Sequence, residues 1–219
     1  MFKTVIFDLD GTILDTIYDL KEAVNYALCT LSKKELSLEQ VRDYIGDGLT
    51  NLMLRSLGKT TVDDEVIKSI ELFTEYYKSH LSVYTKEFPE IKELLVELKS
   101  NGFKIGVLSN KDDYAVKILC DKFYPGLIDV ARGRKEDGKI KPDSSLVDEM
   151  LEKLDSNIAI YVGDSKTDGY TVVYNGLFGI LVSWGYEDYE ELDKFYFPIV
   201  KTVKELRNLL LVKQNFWNF

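Results

Sequence analysis

The feature that most constrains the fold is a short apolar run, Thr4–Phe7, followed at once by the acidic segment DLDGT at residues 8–12. An uninterrupted β-branched run of this length predicts a strand buried on both faces, as in the middle of a parallel sheet. Ligands bind outside the carboxyl ends of such strands, so Asp8 and Asp10 emerge where chemistry is usually placed. Two close acids repel each other unless a cation or proton neutralises them. An isolated segment of this kind is also typical of an acidic turn that caps a helix.

After residue 81 the sequence alternates between short apolar runs and helical periodicities. Strands are predicted at residues 104–108, 127–130, 158–162 and 179–182, with a short one near Ile199. Alternating β and α units favour a parallel sheet with right-handed crossovers. We therefore predict an α/β core domain, built from residues 1–14 and 82–219, with a doubly wound, Rossmann-like sheet.

Between residues 15 and 81 only helical periodicities occur. This stretch is long for a connection between a strand and a helix, and it is long enough for a small helical domain. Ser37 and Gln40 form a capping-box signal, the pair Gly46 and Gly48 interrupts the pattern, and another helix is predicted from about Asp63. We predict an inserted all-helical domain over residues 15–81.

Polar side chains at two further places in the sequence are candidate site residues. Ser109 and Asn110 come directly after one strand, and their hydroxyl, amide and backbone N–H groups could hold anionic oxygens where the next helix begins. The same pair is also an ordinary helix start. Lys141 precedes Pro142, which stiffens the backbone and fixes the direction of the lysine, although a loop lysine by itself is usually solvated.

Asp164 and Asp168 lie four residues apart after the predicted strand at 158–162. If a helix begins near Ser165, both carboxylates lie on one face near the strand end. Two acids there indicate ligands for a hard cation. Favourable placement of acids at a helix N-terminus is the alternative, and it explains one aspartate more easily than two.

One phosphate-binding motif is nearly present but incomplete. Residues 133–139 approach a P-loop, yet Ile140 stands where that motif requires Ser or Thr. We interpret this segment as a charged loop.

The composition limits the partners of the chain. The sequence has 37 acidic and 28 basic residues, a formal charge of −9, which argues against general affinity for nucleic acid or anionic membranes. A phosphate substrate would then need a divalent cation and one or two lysines to reverse the field locally. Two cysteines far apart, and no leader or membrane-length apolar stretch, predict a cytoplasmic protein.

Taken in order, four segments resemble the motifs of the haloacid dehalogenase superfamily. These segments are residues 8–12, Ser109, the pair Lys141 and Pro142, and residues 163–168. The resemblance spans the whole chain, and the inserted helical domain stands where that superfamily has its first type of cap domain. Residues 45–49, 109–111 and 183–186 are in addition similar to phosphoglycolate phosphatases and their close relatives.

The resemblance implies roles for the individual residues. Asp8 would attack phosphorus to give an aspartyl-phosphate, and Asp10 would act as the general acid and base. Mg²⁺ would be held by the Asp8 carboxylate, the Asp10 backbone carbonyl and Asp164, with Asp168 in direct contact or one step removed. Ser109 and Lys141 would hold the phosphoryl oxygens. The remaining substrate-binding candidates are Gly11, Thr12, Asn110, Gly46 and Gly48.

The function expected from this resemblance is a magnesium-dependent phosphatase acting on a small phosphorylated metabolite, with 2-phosphoglycolate as the first candidate. A sugar phosphomutase, a pyrophosphatase, a 5′-nucleotidase and a non-catalytic binding module are the alternatives. The chain is expected to be a monomer or a homodimer. The aromatic residues 215–219 would then be docked, disordered or part of an oligomer contact.

Overall fold

The structure is a computed structural model that describes residues 2–212. The aromatic segment at residues 215–219, for which we considered an oligomer contact, lies outside the described residues. None of the helices within residues 2–212 is both long and apolar enough to cross a bilayer.

The helices and strands alternate through most of the chain, with one cluster of helices near its beginning. In chain order they are β1 Thr4–Phe7, β2 Leu14–Asp15, α1 Ile17–Thr30, α2 Leu38–Tyr44, α3 Leu49–Ser56, α4 Asp64–Ser79, β3 Lys86–Glu87, α5 Ile91–Ser100, β4 Lys104–Asp112, α6 Asp113–Phe123, β5 Val130–Arg134, α7 Ser144–Lys153, β6 Ile160–Gly163, α8 Lys166–Asn175, β7 Phe178–Val182, α9 Tyr189–Asp193, β8 Ile199–Val200 and α10 Val203–Arg207, continued by a π-helical turn over Asn208–Val212.

Six strands form a parallel sheet in the order β5-β4-β1-β6-β7-β8. In β1, Val5 pairs with Ile105 on one side and with Ile160 on the other, and the side chains of residues 4–7 are all buried. The predicted central strand and the α/β fold class are therefore confirmed. Because β1 is central, residues 8–12 leave the sheet with a strand on either side of their start.

Four helices, α1 to α4, occupy the stretch between β2 and β3, in agreement with the helical periodicities of that region. Ser37 caps α2 in a capping box with Gln40, and the Asp63 side chain caps α4. The chain leaves and rejoins the sheet region through β2 and β3, which pair antiparallel, with Leu14 opposite Glu87. Asp19 of α1 accepts hydrogen bonds from the backbone of Tyr84 and Thr85, which fixes the first helix to the returning chain.

Two predicted strand boundaries were wrong. The strand predicted at residues 104–108 continues to Asp112, and the strand predicted at 127–130 is displaced to Val130–Arg134. The cause is an ion pair at the sheet edge, where the Arg134 guanidinium binds the Asp112 carboxylate at 2.6 Å while the two residues pair in register. Part of the segment that we interpreted as a charged loop is therefore strand.

Candidate active site

Asp8 stands at the carboxyl end of β1, immediately after the buried strand. Its side chain is buried, and its Oδ1 accepts a hydrogen bond from Lys141 Nζ at 2.6 Å. Burial raises the pKa of Asp8 to about 7, against the lowering effect of the Lys141 charge. The group is thus a desolvated carboxyl that a neighbouring cation keeps available in its ionised form.

Lys141 lies between two carboxylates. Its ammonium also donates to Asp168 Oδ1 at 2.7 Å, and its side chain is 3% exposed. Burial opposes the charge of this ammonium, but Asp168 and Asp8 outweigh that effect and raise the pKa of Lys141 well above its ordinary value. Lys141 is therefore a permanent positive charge beside Asp8, in contrast to a typical solvated loop lysine.

Asp168 is held by four donor atoms. Its Oδ1 accepts from Lys141 and from the Tyr161 hydroxyl at 2.9 Å, and its Oδ2 accepts from the backbone N–H and the hydroxyl of Ser165. The Ser165 hydroxyl in turn accepts from the Asp168 N–H and caps α8. Asp168 therefore takes part in the cap of this helix and also binds the lysine. The placement of Asp168 at a helix start is thus confirmed, and its role as a cation ligand stays a prediction.

Asp164 follows β6 and lies against the segment that leaves β1. Its Oδ1 accepts from the Thr12 hydroxyl and its Oδ2 from the Tyr186 N–H, both at 2.8 Å. Burial raises the pKa of Asp164 well above its usual value. A Cβ on Gly11, which has a φ of +87°, would lie 2.2 Å from Asp164 Oδ2, so a glycine is required for this approach.

Three of these carboxylates form a group that fits a hard cation. One oxygen each from Asp8, Asp164 and Asp168 lies within 4.8 Å of the others, and all three side chains are buried. Carboxylate oxygens are the ligands that Mg²⁺ and Ca²⁺ prefer. Because Lys141 and Ser165 already satisfy Asp168, the oxygens of Asp8 and Asp164 are the more available members of this acidic group.

The Asp10 carboxylate is not one of the three carboxylates of the acidic group. Its Oδ1 accepts from the Thr16 hydroxyl at 2.5 Å and from Lys111 Nζ at 2.8 Å. Asp10 lines the cavity, so its carboxyl group borders the space that a ligand would occupy. The atom of Asp10 that we predict to bind the metal is its backbone carbonyl oxygen.

Asn110 connects the sheet to the helical segment. Its Oδ1 accepts from the Lys141 N–H at 2.7 Å, and its Nδ2 donates to the Gly46 carbonyl at 3.1 Å. The amide therefore positions the lysine and the loop at Gly46 through direct hydrogen bonds. Ser109, which is 4% exposed, precedes it and accepts from the Lys111 N–H.

A single cavity collects most of the predicted site residues. Its wall includes Asp8, Asp10, Ser109, Asn110, Lys141, Asp164, Gly46 and Gly48. Gly11, Thr12 and Asp168 lie behind this wall and act on it through Asp164 and Lys141. The structure thus brings together residues from the carboxyl ends of β1, β4 and β6, from the loop before α7 and from the helical segment.

Two residues that contribute to the site, Tyr186 and Arg42, could not be assigned a role from the sequence. Tyr186 donates to Asp164, while its carbonyl accepts from the Arg42 guanidinium of α2 at 2.6 Å. Both residues line the cavity. Tyr186 belongs to the segment 183–186 that carried part of the resemblance, but the sequence contains no signal for the partnership with Arg42.

A parallel α/β sheet with buried carboxylates at its strand ends, a lysine held between two of them and a helical insertion agrees with the fold class of the haloacid dehalogenase superfamily. Residues 5–172 match the model of the haloacid dehalogenase-like hydrolase family, and the chain belongs to that family.

The relatives of the chain carry a more specific name. It is 35% identical over 187 residues to a phosphoglycolate phosphatase of Aquifex aeolicus, covering 84% of this chain and 86% of that protein. A phosphoglycolate phosphatase of Neisseria meningitidis is 32% identical, with 85% and 82% covered. Among solved structures, a provisionally named phosphoglycolate phosphatase of Lactobacillus delbrueckii is similar with a TM-score of 0.91 and 30% identity, covering 96% of this chain and 99% of that one.

Proposed function

We propose that this hydrolase is a magnesium-dependent phosphatase that cleaves a small phosphorylated metabolite, with 2-phosphoglycolate as the first candidate. The observation that carries the proposal is the environment of Asp8, a buried carboxylate 2.6 Å from the Lys141 ammonium and within the acidic group that fits a hard cation. The names of the relatives support the choice of substrate.

In the proposed reaction an Asp8 carboxylate oxygen attacks phosphorus, a P–O bond to Asp8 forms, and the ester P–O bond breaks. Asp10 gives a proton to the departing alkoxide oxygen. Asp10 then takes a proton from water, which attacks phosphorus, breaks the bond to Asp8 and releases inorganic phosphate. Asp10 lies outside the acidic group and is bound by Lys111, which supports separate roles for Asp8 as the nucleophile and Asp10 as the acid and base.

Charge neutralisation is the second requirement for phosphoryl transfer. Lys141 and the Ser109 hydroxyl would bind the non-bridging oxygens, where one well-aimed donor can contribute about 3 kcal/mol in the transition state. Mg²⁺, held by Asp8, the Asp10 carbonyl and Asp164, would supply further positive charge when bound. Asp168 would act mainly by orienting Lys141.

We further infer that residues 15–81 form a cap domain over an α/β core of residues 1–14 and 82–219. The cavity wall supports this division, since both parts contribute to it and Gly46 and Gly48 would lie next to the substrate. We also propose a cytoplasmic protein that is a monomer or a homodimer. The formal charge of −9 supports the further proposal that it binds neither nucleic acid nor anionic membranes.

The test is release of inorganic phosphate, with and without Mg²⁺, from 2-phosphoglycolate, pyrophosphate, hexose phosphates and nucleoside monophosphates. Asp8→Asn should lower the rate by at least about 10³-fold, because the amide is a poor nucleophile. Asp10→Asn should slow turnover severely while leaving Mg²⁺ binding largely intact. Asp155→Asn, a change at an exposed carboxylate, serves as the matched control.

The outcomes separate the candidates. Preference for 2-phosphoglycolate would support the named substrate, and broad, weak release would keep the phosphatase without it. Release that requires a bisphosphate activator would indicate a mutase. Full activity of Asp8→Asn would refute the mechanism, and Mg²⁺ binding without any phosphate release would favour a binding module.

A further inference from the structure

The helical segment covers the cavity with a mainly apolar surface. Apart from Arg42, Asp43 and two glycines, the residues that it contributes to the wall are Leu20, Ile45, Leu49, Leu52, Phe73 and Tyr77. A surface of this kind gives shape to a ligand but few directional contacts. Polar atoms that reach the cavity in this region therefore have a strong influence on which ligand fits.

Lys111, near the end of β4, supplies one such polar group. Its side chain is only 6% exposed, and its ammonium lies 2.8 Å from Asp10 Oδ1 and 4.9 Å from the centre of the Tyr77 ring. A carboxylate at this distance favours the charged form of the ammonium. An ammonium has three N–H donors, and the bond to Asp10 uses one of them.

Tyr77, on α4, supplies the second group. The residue is 3% exposed, its buried hydroxyl lies beside the Lys111 ammonium, and among residues 2–212 this hydroxyl has no acceptor for its own proton. Buried hydroxyls are normally hydrogen-bonded, and this one belongs to a residue that lines the cavity. Burial also raises the pKa of Tyr77, which keeps its proton available for donation.

We infer that Lys111 and Tyr77 form a subsite for a carboxylate of the substrate, an inference that rests on the proposed phosphatase function. One group is a cation, both are hydrogen-bond donors, and the complementary ligand is an anion with two acceptor oxygens. Because Lys111 touches Asp10, the proposed proton donor to the ester oxygen, this carboxylate lies a short carbon chain away from that oxygen. The substrate class is thus a short phosphorylated hydroxy acid, of which 2-phosphoglycolate is a small member.

The test compares two substrates that differ in one group. 2-Phosphoglycolate carries the carboxylate, and 2-hydroxyethyl phosphate carries a neutral hydroxymethyl group in its place. Lys111→Met should lower kcat/KM for 2-phosphoglycolate on the order of 10- to 100-fold more than for the neutral ester, since the lost contact is charge-assisted. Tyr77→Phe should lower kcat/KM for 2-phosphoglycolate by about 5-fold more than for the neutral ester.

The controls are chosen for similar chemistry at other places. Lys122→Met removes a surface lysine, and Tyr76→Phe removes the hydroxyl of the neighbouring tyrosine, which stacks on His80. Neither variant should change the ratio of the two kcat/KM values. Lys111→Met also removes the ion pair with Asp10, which should slow turnover of both substrates. The diagnostic quantity is therefore the ratio of the two kcat/KM values.

A binding measurement makes the inference independent of turnover. Calorimetry of Asp8→Asn, with Mg²⁺ present, should show weaker binding of 2-phosphoglycolate when Lys111→Met is added, and little change for 2-hydroxyethyl phosphate. Equal losses for both compounds, in rate and in binding, would overturn the subsite while leaving the phosphatase intact. Absence of phosphate release from every ester by the unaltered protein would instead overturn the proposed function, and the calorimetric comparison would still decide the subsite.

Discussion

Asp168 combines a structural and a functional role in one side chain. It accepts two hydrogen bonds from Ser165 at the start of α8, and it shares the Lys141 ammonium with Asp8. A carboxylate with all these partners is suited to fixing a lysine in one orientation. The direction of Lys141 is therefore set by a residue 27 positions further along the chain.

The substitution Asp168→Asn tests this role. It leaves Lys141 with one carboxylate partner in a buried site, and we expect a loss of about 3 kcal/mol in the free energy of unfolding. The apparent affinity for Mg²⁺ should change much less than in Asp164→Asn. Chemical denaturation and Mg²⁺ titration of phosphate release would measure the two effects.

The control is Asp143→Asn, which changes an exposed helix-capping aspartate at the start of α7. That change should cost about 1 kcal/mol or less. If Asp168→Asn were no more destabilising than this control, the ion pair with Lys141 would not be the main contribution of Asp168.

The individual site residues could be predicted from the sequence, but most of their partners could not. Asp8, Asp10, Ser109, Lys141 and Asp164 all follow strands or sit in conspicuous local patterns. The bond from Asn110 to Gly46 spans 64 residues, and the bond from Thr12 to Asp164 spans 152. Periodicity and capping signals are local, so they carry no information about such contacts.

At the scale of elements, Tyr186, which follows β7, connects three other parts of the chain. Its N–H binds Asp164, its carbonyl binds Arg42 of α2, and its hydroxyl accepts from the N–H groups of Thr16 and Ile17. The candidate metal-binding carboxylate, a helix of the insertion and the linker before α1 are thus connected through one residue. Movement of the helices against the sheet would have to break some of these bonds.

We expect Tyr186→Phe to loosen this connection. The substitution leaves the N–H groups of Thr16 and Ile17 without their acceptor, and it should lower the free energy of unfolding by about 1–3 kcal/mol. Hydrogen exchange of these two amides should become faster. KM should rise more than kcat falls, since the change affects closure over the substrate more than the reacting groups.

Tyr189→Phe is the matched control, because Tyr189 is 45% exposed and lies three residues away. It should leave exchange at Thr16 and Ile17 unchanged. Unaltered exchange in Tyr186→Phe as well would contradict the proposed connection.

The order of the strands and helices was predicted well where the sequence has strong local signals. The capping box at Ser37 and the helix start at Asp63 are examples. β2 and β3 were not predicted, because each has only two residues and is defined by pairing with a distant part of the chain, Leu14 with Glu87 being a pair 73 positions apart. The extension of β4 to Asp112 likewise depends on pairing with Arg134.

At the scale of the whole molecule, the buried carboxyl groups make stability depend on pH. The pKa values of Asp8 and Asp164 are raised in the folded chain, so the folded state binds these protons more tightly than the unfolded state. The resulting stabilisation is fully present below their ordinary pKa of about 4 and is lost as the pH rises through the folded-state pKa values, which for Asp8 is about 7. Cations that bind the acidic group should compete with the same protons.

We therefore expect the Tm of the metal-free protein to fall between about pH 5 and pH 8, and saturating Mg²⁺ to reduce that fall. Thermal melts followed by circular dichroism, in EDTA and in Mg²⁺, would measure both effects. Asp164→Asn should flatten the dependence in EDTA and remove most of the gain from Mg²⁺, whereas Asp155→Asn should do neither. A Tm that rises over this interval in EDTA would refute the expectation.

The pairing of β2 with β3 has a consequence for how such a chain can change over evolutionary time. Because the two ends of the helical insertion lie side by side, with Leu14 opposite Glu87, the insertion is attached at one place. A longer, shorter or unrelated insertion could be grafted onto the same two-stranded stem without shifting any strand of the large sheet. The insertion residues that line the cavity, such as Ile45 and Leu49, can therefore diverge separately from the carboxylates of the sheet, so that one reaction can be inherited while part of its substrate contacts is replaced.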